Sequence, residues 1–280
     1  MQNGEQPDLE YDMASGSAGI RMLCAGEQGL VVEFGNVISP QINARVQRLA
    51  GKIAQSKMGG VIELVPTYRS LLVYFDPLRL ARSDLSRMIE RLLALEEEWG
   101  KGGKDKVRVI RVPVCYGGEF GPDLDHVAQH TGLAVGEVVA IHSSRPYLVY
   151  MLGFTPGFAY LGGMSLRIAT PRLEKPRTKI PQGSVGIADQ QTGLYPIESP
   201  GGWRLIGRTP LKPFSPGSTR PFLFAAGDYL QFEPISAEEF KTIGRQVQAG
   251  SYAPHITEEF LESISHDRDD EAGVVHPSSG

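Results

Sequence analysis

Cysteine is nearly absent: the 280 residues hold two, Cys24 and Cys115, far apart and each inside an apolar, strand-like run. That spacing excludes a disulfide framework and a paired-cysteine metal site, and two buried thiols in a reducing cytoplasm are expected. Long apolar runs are missing too, since none approaches the ~18 residues of a membrane span. The opening Met1-Gln2-Asn3-Gly4-Glu5 has neither a basic nor an apolar stretch, so a secretory signal is not expected. Positive charge is not in excess: 28 Lys and Arg face 32 Asp and Glu, a net −4, which argues against general nucleic-acid binding. Gly-x-Ser-x-Gly, Gly-x-x-x-x-Gly-Lys-Ser/Thr and Gly-x-Gly-x-x-Gly are all missing. An α/β-hydrolase elbow, a phosphate loop and a dinucleotide-binding turn are therefore unsupported. What remains is a cytoplasmic chain with no membrane and no nucleic-acid partner.

Residues 1–18 are polar, acidic and rich in Ser and Gly, and read as a disordered extension. Residues 251–280 read mostly as a disordered tail, above all from Ser263 through His266-Asp267-Arg268-Asp269-Asp270-Glu271. Between them the character changes near residue 102, giving an α/β domain over 19–102 and a β-rich domain over 103–250. In the first, Ile20–Cys24 and Leu30–Phe34 are strand-like runs split by a turn. Ser39-Pro40 supplies an N-cap and a first-turn proline to a helix with Ile42, Val46, Leu49, Ala50 and Ile53 on one stripe. Val61–Val65 and Ser70–Phe75 are two more strands. A second helix from Ser83 places Leu85, Met88, Ile89, Leu92 and Trp99 on one face and stops at Gly100, before the linker Lys101-Gly102-Gly103-Lys104. Dropping the first strand and taking Val107–Val112 as the last leaves β-α-β-β-α-β, the ferredoxin-like order.

The second part is punctuated differently. Eleven of the 20 prolines and 11 of the 33 glycines fall between Pro146 and Pro221. Short apolar pieces at Tyr147–Leu152, Ser184–Ala188, Arg204–Ile206 and Tyr229–Phe232 imply a closed barrel or a sandwich. A short helical pair at Asp123–His130 and Gly136–His142 precedes them, and a last helix opens at Ser236 and runs to Gln248. The class is α+β.

Three glycine- and proline-dense segments stand out: Gly153–Gly163, Pro181–Gly186 and Ser199–Pro210. Such alternation makes rigid corners with exposed N–H groups, serving either barrel turns or a ligand. From Arg167 to Arg220 nine cations meet only Glu174, Asp189 and Glu198, a local +6 that suits a carboxylate or a phosphate. The expected anion site comprises Arg172, Arg177, Gln182, Gly183, Ser184, Tyr195, Gly201, Gly202, Arg204 and Arg208. Phe154, Pro156, Gly157 and Tyr160 form its pocket loop. Ser184 also reads as a structural hydroxyl. His142 ends a helix, where an imidazolium is stabilised, so it reads as a cap and as the candidate for proton transfer. His126 and His130 share a helix face without a third ligand, so no metal is expected.

The run Val112-Pro113-Val114-Cys115-Tyr116-Gly117-Gly118, then Gly121-Pro122-Asp123-Leu124, His142 and Gly153–Gly163, closely resembles the KipI/PxpB family, also called allophanate hydrolase subunit 1. The likeness continues through Pro171-Arg172, Pro176-Arg177, Pro181–Ala188, Gln191–Pro196 and Ser199–Pro210. It implies an N-terminal α/β domain and a C-terminal cyclophilin-like β-barrel. It further implies a subunit of an ATP-dependent 5-oxoprolinase, a cyclic-amide hydrolase, that opens 5-oxo-L-proline to L-glutamate. The partners would be a KipA/PxpC-like subunit and a LamB/YcsF-like protein, and the isolated chain would be inactive. ATP would be used by the complex, without a phosphate loop in this chain. The same resemblance admits an inhibitor of a sensor histidine kinase, or half of a urea carboxylase carboxyltransferase domain. Prolyl isomerase activity does not follow from the barrel fold.

Overall fold

Residues 11–12, 19–96 and 106–260 are described by the structure, a computed structural model. Trp99, Gly100, the 101–104 linker and the acidic run from His266 lie outside them. The chain divides between Gly103 and Lys104 into two compact units.

In the first unit, alternating apolar residues build one sheet whose buried face meets two helices. Strands β1 (Tyr11–Asp12), β2 (Ile20–Ala25), β3 (Gly29–Phe34), β4 (Val61–Pro66) and β5 (Ser70–Phe75) are antiparallel in the order β1-β2-β3-β5-β4. Met22, Val32, Val73 and Phe75 pack against Val46, Leu49 and Ile53 of α1 (Pro40–Ser56) and Leu85 and Ile89 of α2 (Arg82–Ala94). Each such side chain contributes roughly 1.5–3 kcal/mol by leaving water. Helix α1 begins as its sequence dictates: the Ser39 hydroxyl accepts from the Ile42 N–H at 3.1 Å and Pro40 takes the first turn. The buried Asn43 donates to the Thr67 carbonyl at 2.9 Å and ties the helix to the β4–β5 turn.

The ferredoxin-like layering is present, but one strand comes from elsewhere. Sequence order gives the last place to Val107–Val112; in the structure β2 occupies it, beside β3, and after the short β1 the order is β-β-α-β-β-α. The reason is strand β6 (Lys106–Tyr116), whose Val109, Ile110, Val112 and Val114 are all buried, a two-sided apolar run that suits a barrel wall. Two smaller expectations also change. Tyr11–Asp12, inside the supposed N-terminal extension, pairs with β2. Cys24 is exposed at the far end of β2, whereas Cys115 is buried as expected.

The second unit contains α3 (Leu124–Thr131), α4 (Val135–Ser143), β7 (Tyr147–Leu152), β8 (Ala159–Gly162), β9 (Arg177–Ile180), β10 (Ser184–Ala188), β11 (Gln191–Leu194), β12 (Ser199–Gly201), β13 (Arg204–Arg208), β14 (Tyr229–Pro234), α5 (Ala237–Gln248) and β15 (Ile256–Phe260). Seven strands neighbour one another as β13-β10-β11-β8-β7-β14-β6, and a β13–β6 pairing closes the barrel. Only β14 and β6 run parallel among these pairs. The length of β6 serves two partners on one edge: β15 pairs along Lys106–Ile110 and β13 at Cys115 and Tyr116. Ile256–Phe260, which composition assigns to the tail, is thus part of the sheet. Strands β9 and β12 form a separate two-stranded ribbon. Ile110, Val112, Val149, Leu161, Val185, Ile206 and Phe232 fill the barrel, with Val127 and Val138 packed on from α3 and α4.

Candidate functional site

The glycine- and proline-dense segments converge at two places on the barrel, joined by β10 and β13. Arg204 pairs with Ile187 and Arg208 with Ser184, so the two guanidinium-bearing residues stand at opposite ends of β13. Four residues of extended chain separate them by roughly 13 Å.

At one end, Trp203 is the centre. Arg177 Nη2 donates to Asp123 Oδ1 at 2.8 Å, and Asp123 Oδ2 accepts from the Leu205 N–H at 2.7 Å. The aspartate side chain is 10% exposed and the arginine 29%, so the pair is largely out of water. Arg172 pairs with Asp189 at 3.1 Å and lies over the Trp203 ring, while Arg204 Nε donates to the Pro171 carbonyl at 3.1 Å. The Gly202 carbonyl accepts from Leu173 N–H at 2.7 Å, and a Cβ on Gly201 would stand 2.4 Å from Tyr195 Oη. The glycines therefore seat the 171–176 loop and the tyrosine. Tyr195 is buried against Phe158 and Trp203, and burial pushes its phenol up to about 12.

At the other end, Gln182 Nε2 donates to the Pro196 carbonyl at 2.8 Å and Arg208 Nε to the Gln182 carbonyl at 2.9 Å. Gly183 takes φ +82 and lies so close to Thr209 that a Cβ would meet its carbonyl oxygen at 2.3 Å. Ser184 is buried and its hydroxyl donates to the Pro181 carbonyl at 2.8 Å, the structural role. Phe154 and Pro156 are exposed on the 153–158 loop, Gly157 is buried beneath it, and Tyr160 stands edge-on to Phe158.

Of the three arginines expected to line one hollow, Arg177 is tied to a carboxylate and Arg204 and Arg208 stand at opposite ends of β13. Asp123 is the residue that charge counting misses, because its partner lies 54 positions on. The Gly121-Pro122-Asp123 motif before a helix is the signal that could have singled it out.

His142 is likewise not a helix cap. Its ring is fully buried, stacked on Phe232, with Nδ1 2.8 Å from Tyr116 Oη and Nε2 2.8 Å from Thr192 Oγ1. Thr192 Oγ1 also lies 3.1 Å from the Gly186 carbonyl. Satisfying every donor gives one chain: Tyr116 O–H to Nδ1, Nε2–H to Thr192, and Thr192 O–H to Gly186. Burial pulls the imidazole down to about 3 and lifts the Tyr116 phenol, so the network is neutral. Among the described residues no cluster of three His, Cys, Asp or Glu side chains is placed to hold a metal ion. No described helix is long and apolar enough to cross a membrane.

The chain is similar to known proteins. The model of the carboxyltransferase domain, subdomains C and D, matches residues 20–224. The chain is 43% identical to the 5-oxoprolinase B subunit of Bacillus subtilis (strain 168), over 77% of this chain and 92% of that protein. It is 41% identical to the corresponding B subunit of Escherichia coli O157:H7, over 76% and 95%. The crystal structure of the Kluyveromyces lactis urea carboxylase superposes with a TM-score of 0.70 at 22% identity, over 92% of this chain and 25% of that one, a likeness of fold. The chain belongs to the family of the carboxyltransferase domain, subdomains C and D, together with the bacterial 5-oxoprolinase B subunits.

Proposed function

We propose that this chain is the B-type subunit of an ATP-dependent 5-oxoprolinase, acting with a KipA/PxpC-like subunit and a LamB/YcsF-like protein in the cytoplasm. The observation that carries this reading is the identity of 41–43% to two 5-oxoprolinase B subunits, along nearly their whole lengths. In the overall reaction one water opens the lactam C–N bond of 5-oxo-L-proline, its oxygen entering the new carboxylate and its proton going to the amine, and a second water is consumed as ATP yields ADP and phosphate.

The geometry supports a contributing subunit over a self-sufficient catalyst. The His142 imidazole has hydroxyl neighbours, yet it is sealed and both nitrogens are engaged. General acid–base work needs a group within reach of the substrate proton. A triphosphate fits poorly here: Arg172, Arg177 and Lys179 hold carboxylates, and Arg204 and Arg208 each hold a backbone carbonyl. We therefore assign nucleotide binding to the partner subunits and draw no step through it on this chain. What this chain offers the assembly is rigid loop surface and positive charge, suited to positioning and electrostatic stabilisation.

The test is reconstitution from three purified proteins, with glutamate measured after addition of 5-oxoproline and ATP. Glutamate above the mixture lacking this chain supports the reading. An equal yield with and without it, or a requirement for urea-derived substrates instead, overturns it.

A further inference from the structure

Strand register brings the end of β15 to the same end of the barrel as the tip of the β7–β8 hairpin. Ile110 pairs with Ile256 and Lys106 with Phe260, so β15 runs toward the low-numbered end of β6. Val109 pairs with Tyr229 and Tyr229 with Leu148, in parallel and antiparallel sense, so β7 runs the same way and residues 153–158 turn at that end. Strands β7, β14, β6 and β15 are successive neighbours. Three spacings of about 4.8 Å set β15 roughly 14 Å from β7.

The hairpin tip carries exposed aromatic surface beside unopposed positive charge. Phe154 is 69% exposed and holds φ +63, a conformation that suits glycine. Thr155 N–H donates to the Gly153 carbonyl at 2.7 Å, Phe158 N–H to Thr155 at 3.0 Å and Gly153 N–H to Phe158 at 3.1 Å, so the tip holds its ring outward. A Cβ on Gly157 would lie 2.9 Å from Phe214 Cβ, so the loop packs directly on the 213–223 excursion. There Phe214 and Phe222 stack at 5.2 Å, and Phe222 is 44% exposed. No Asp or Glu occurs between Glu198 and Asp228, and the exposed Lys212 and Arg220 side chains make no ion pair among the described residues.

The chain itself holds the complementary charge. Asp267, Asp269, Asp270 and Glu271 stand with one cation, Arg268, and four minus one gives −3 in five residues. They follow Phe260, the last residue of β15, by seven to eleven positions. Seven residues span at most about 25 Å when extended and roughly 13–16 Å as a flexible coil, enough to cross from β15 to the hairpin. So short a tether gives the acidic run an effective concentration on the order of millimolar, which populates ion contacts too weak to hold separate molecules. We propose that residues 267–271 fold back over this surface, their carboxylates meeting Lys212 and Arg220 while the backbone covers the Phe154 and Phe222 rings. The acidic run is then a cover that salt releases, and any other binder of the surface has to displace it. This inference is independent of the reaction proposed above.

Paramagnetic broadening in the full-length chain tests this, with a nitroxide on Ala272→Cys in a Cys24→Ser background, Cys115 being buried. At low salt the amide signals of Phe154, Thr155 and Phe222 are expected to lose about half their intensity or more, and to recover at about 1 M salt, where charges are screened within about 3 Å. Lys212→Glu combined with Arg220→Glu, both at exposed positions, is expected to abolish the broadening, and adding Asp269→Lys with Asp270→Lys to restore it. No broadening at Phe154 in low salt overturns the proposal, as does broadening that survives the reversal of Lys212 and Arg220. Loss without rescue overturns it too, because the reversal then acted by another route than charge pairing. Broadening that appears when spin-labelled chain is mixed with unlabelled, isotopically enriched chain also overturns it, since the occupant is then a second copy.

Discussion

Asp123 joins three parts of the barrel domain, and its replacement by Asn tests whether Arg177 is a structural or a ligand-facing residue. In the native chain Asp123 Oδ1 accepts from Arg177 at 2.8 Å and Oδ2 from the Leu205 N–H at 2.7 Å. Asparagine leaves one oxygen for two donors and removes the negative charge. A hydrogen bond to a charged group contributes about 1.5–3 kcal/mol, and breaking a buried pair costs about 3–5 kcal/mol. The arginine keeps 29% of its side-chain surface, so water recovers part of the loss. The expected destabilisation is about 2–3 kcal/mol, or roughly 5–10 °C in Tm for a domain of this size. Arg177→Met should cost more, because the aspartate it abandons is the more buried member. The chain has two tryptophans, so in a Trp99→Phe background Trp203, which packs beside this pair, reports unfolding alone. A loss below about 1 kcal/mol for both variants, by urea titration with an unchanged slope, would refute the structural role and return Arg177 to the ligand site.

The buried imidazole makes stability depend on pH. His142 titrates at about 3 in the folded chain and near 6.5 when unfolded, so between those values the unfolded state binds the extra proton. Its contribution is complete above about pH 6.5 and falls toward pH 3 by at most about 1.4 kcal/mol per unit. Urea titrations at pH 7.5, 6 and 5 should show a slope that His142→Gln reduces; identical slopes would contradict a neutral, sealed ring. Two glycines should respond oppositely to alanine. A Cβ on Gly121 would sit 2.0 Å from the Ile206 carbonyl oxygen, so Gly121→Ala should lose folded protein on thermal scanning. Gly136 has open space in the first turn of α4, and Gly136→Ala should gain roughly 0.5–1 kcal/mol.

Much of the fold is written in local pattern. The Ser39-Pro40 start of α1, the Ser236 start of α5 and the two-domain division near residue 102 rest on capping chemistry and composition, which act over a few residues. Strand membership does not. Nothing local in Val107–Val112 says which sheet it joins; that is decided by its pairing with Tyr229–Pro234, more than a hundred positions on. Strands β8, β9, β11 and β12, with three or four residues each, are too short and too rich in glycine or charge to show alternation. For the site, the residue types were legible and their partners were not. A count of cations between Arg167 and Arg220 reads as an anion hollow. The carboxylate that claims Arg177 belongs to the Gly-Pro-Asp motif preceding α3, outside that window.

We propose that this chain completes a 5-oxoprolinase without performing the reaction alone. The most direct measurement holds the KipA/PxpC-like and LamB/YcsF-like proteins fixed, with 5-oxoproline and ATP in excess, and titrates in this chain while following glutamate. The rate should rise and level off at a fixed molar ratio, with none from the chain by itself. A rate that ignores the added chain, or glutamate formed by the chain alone, would contradict the account.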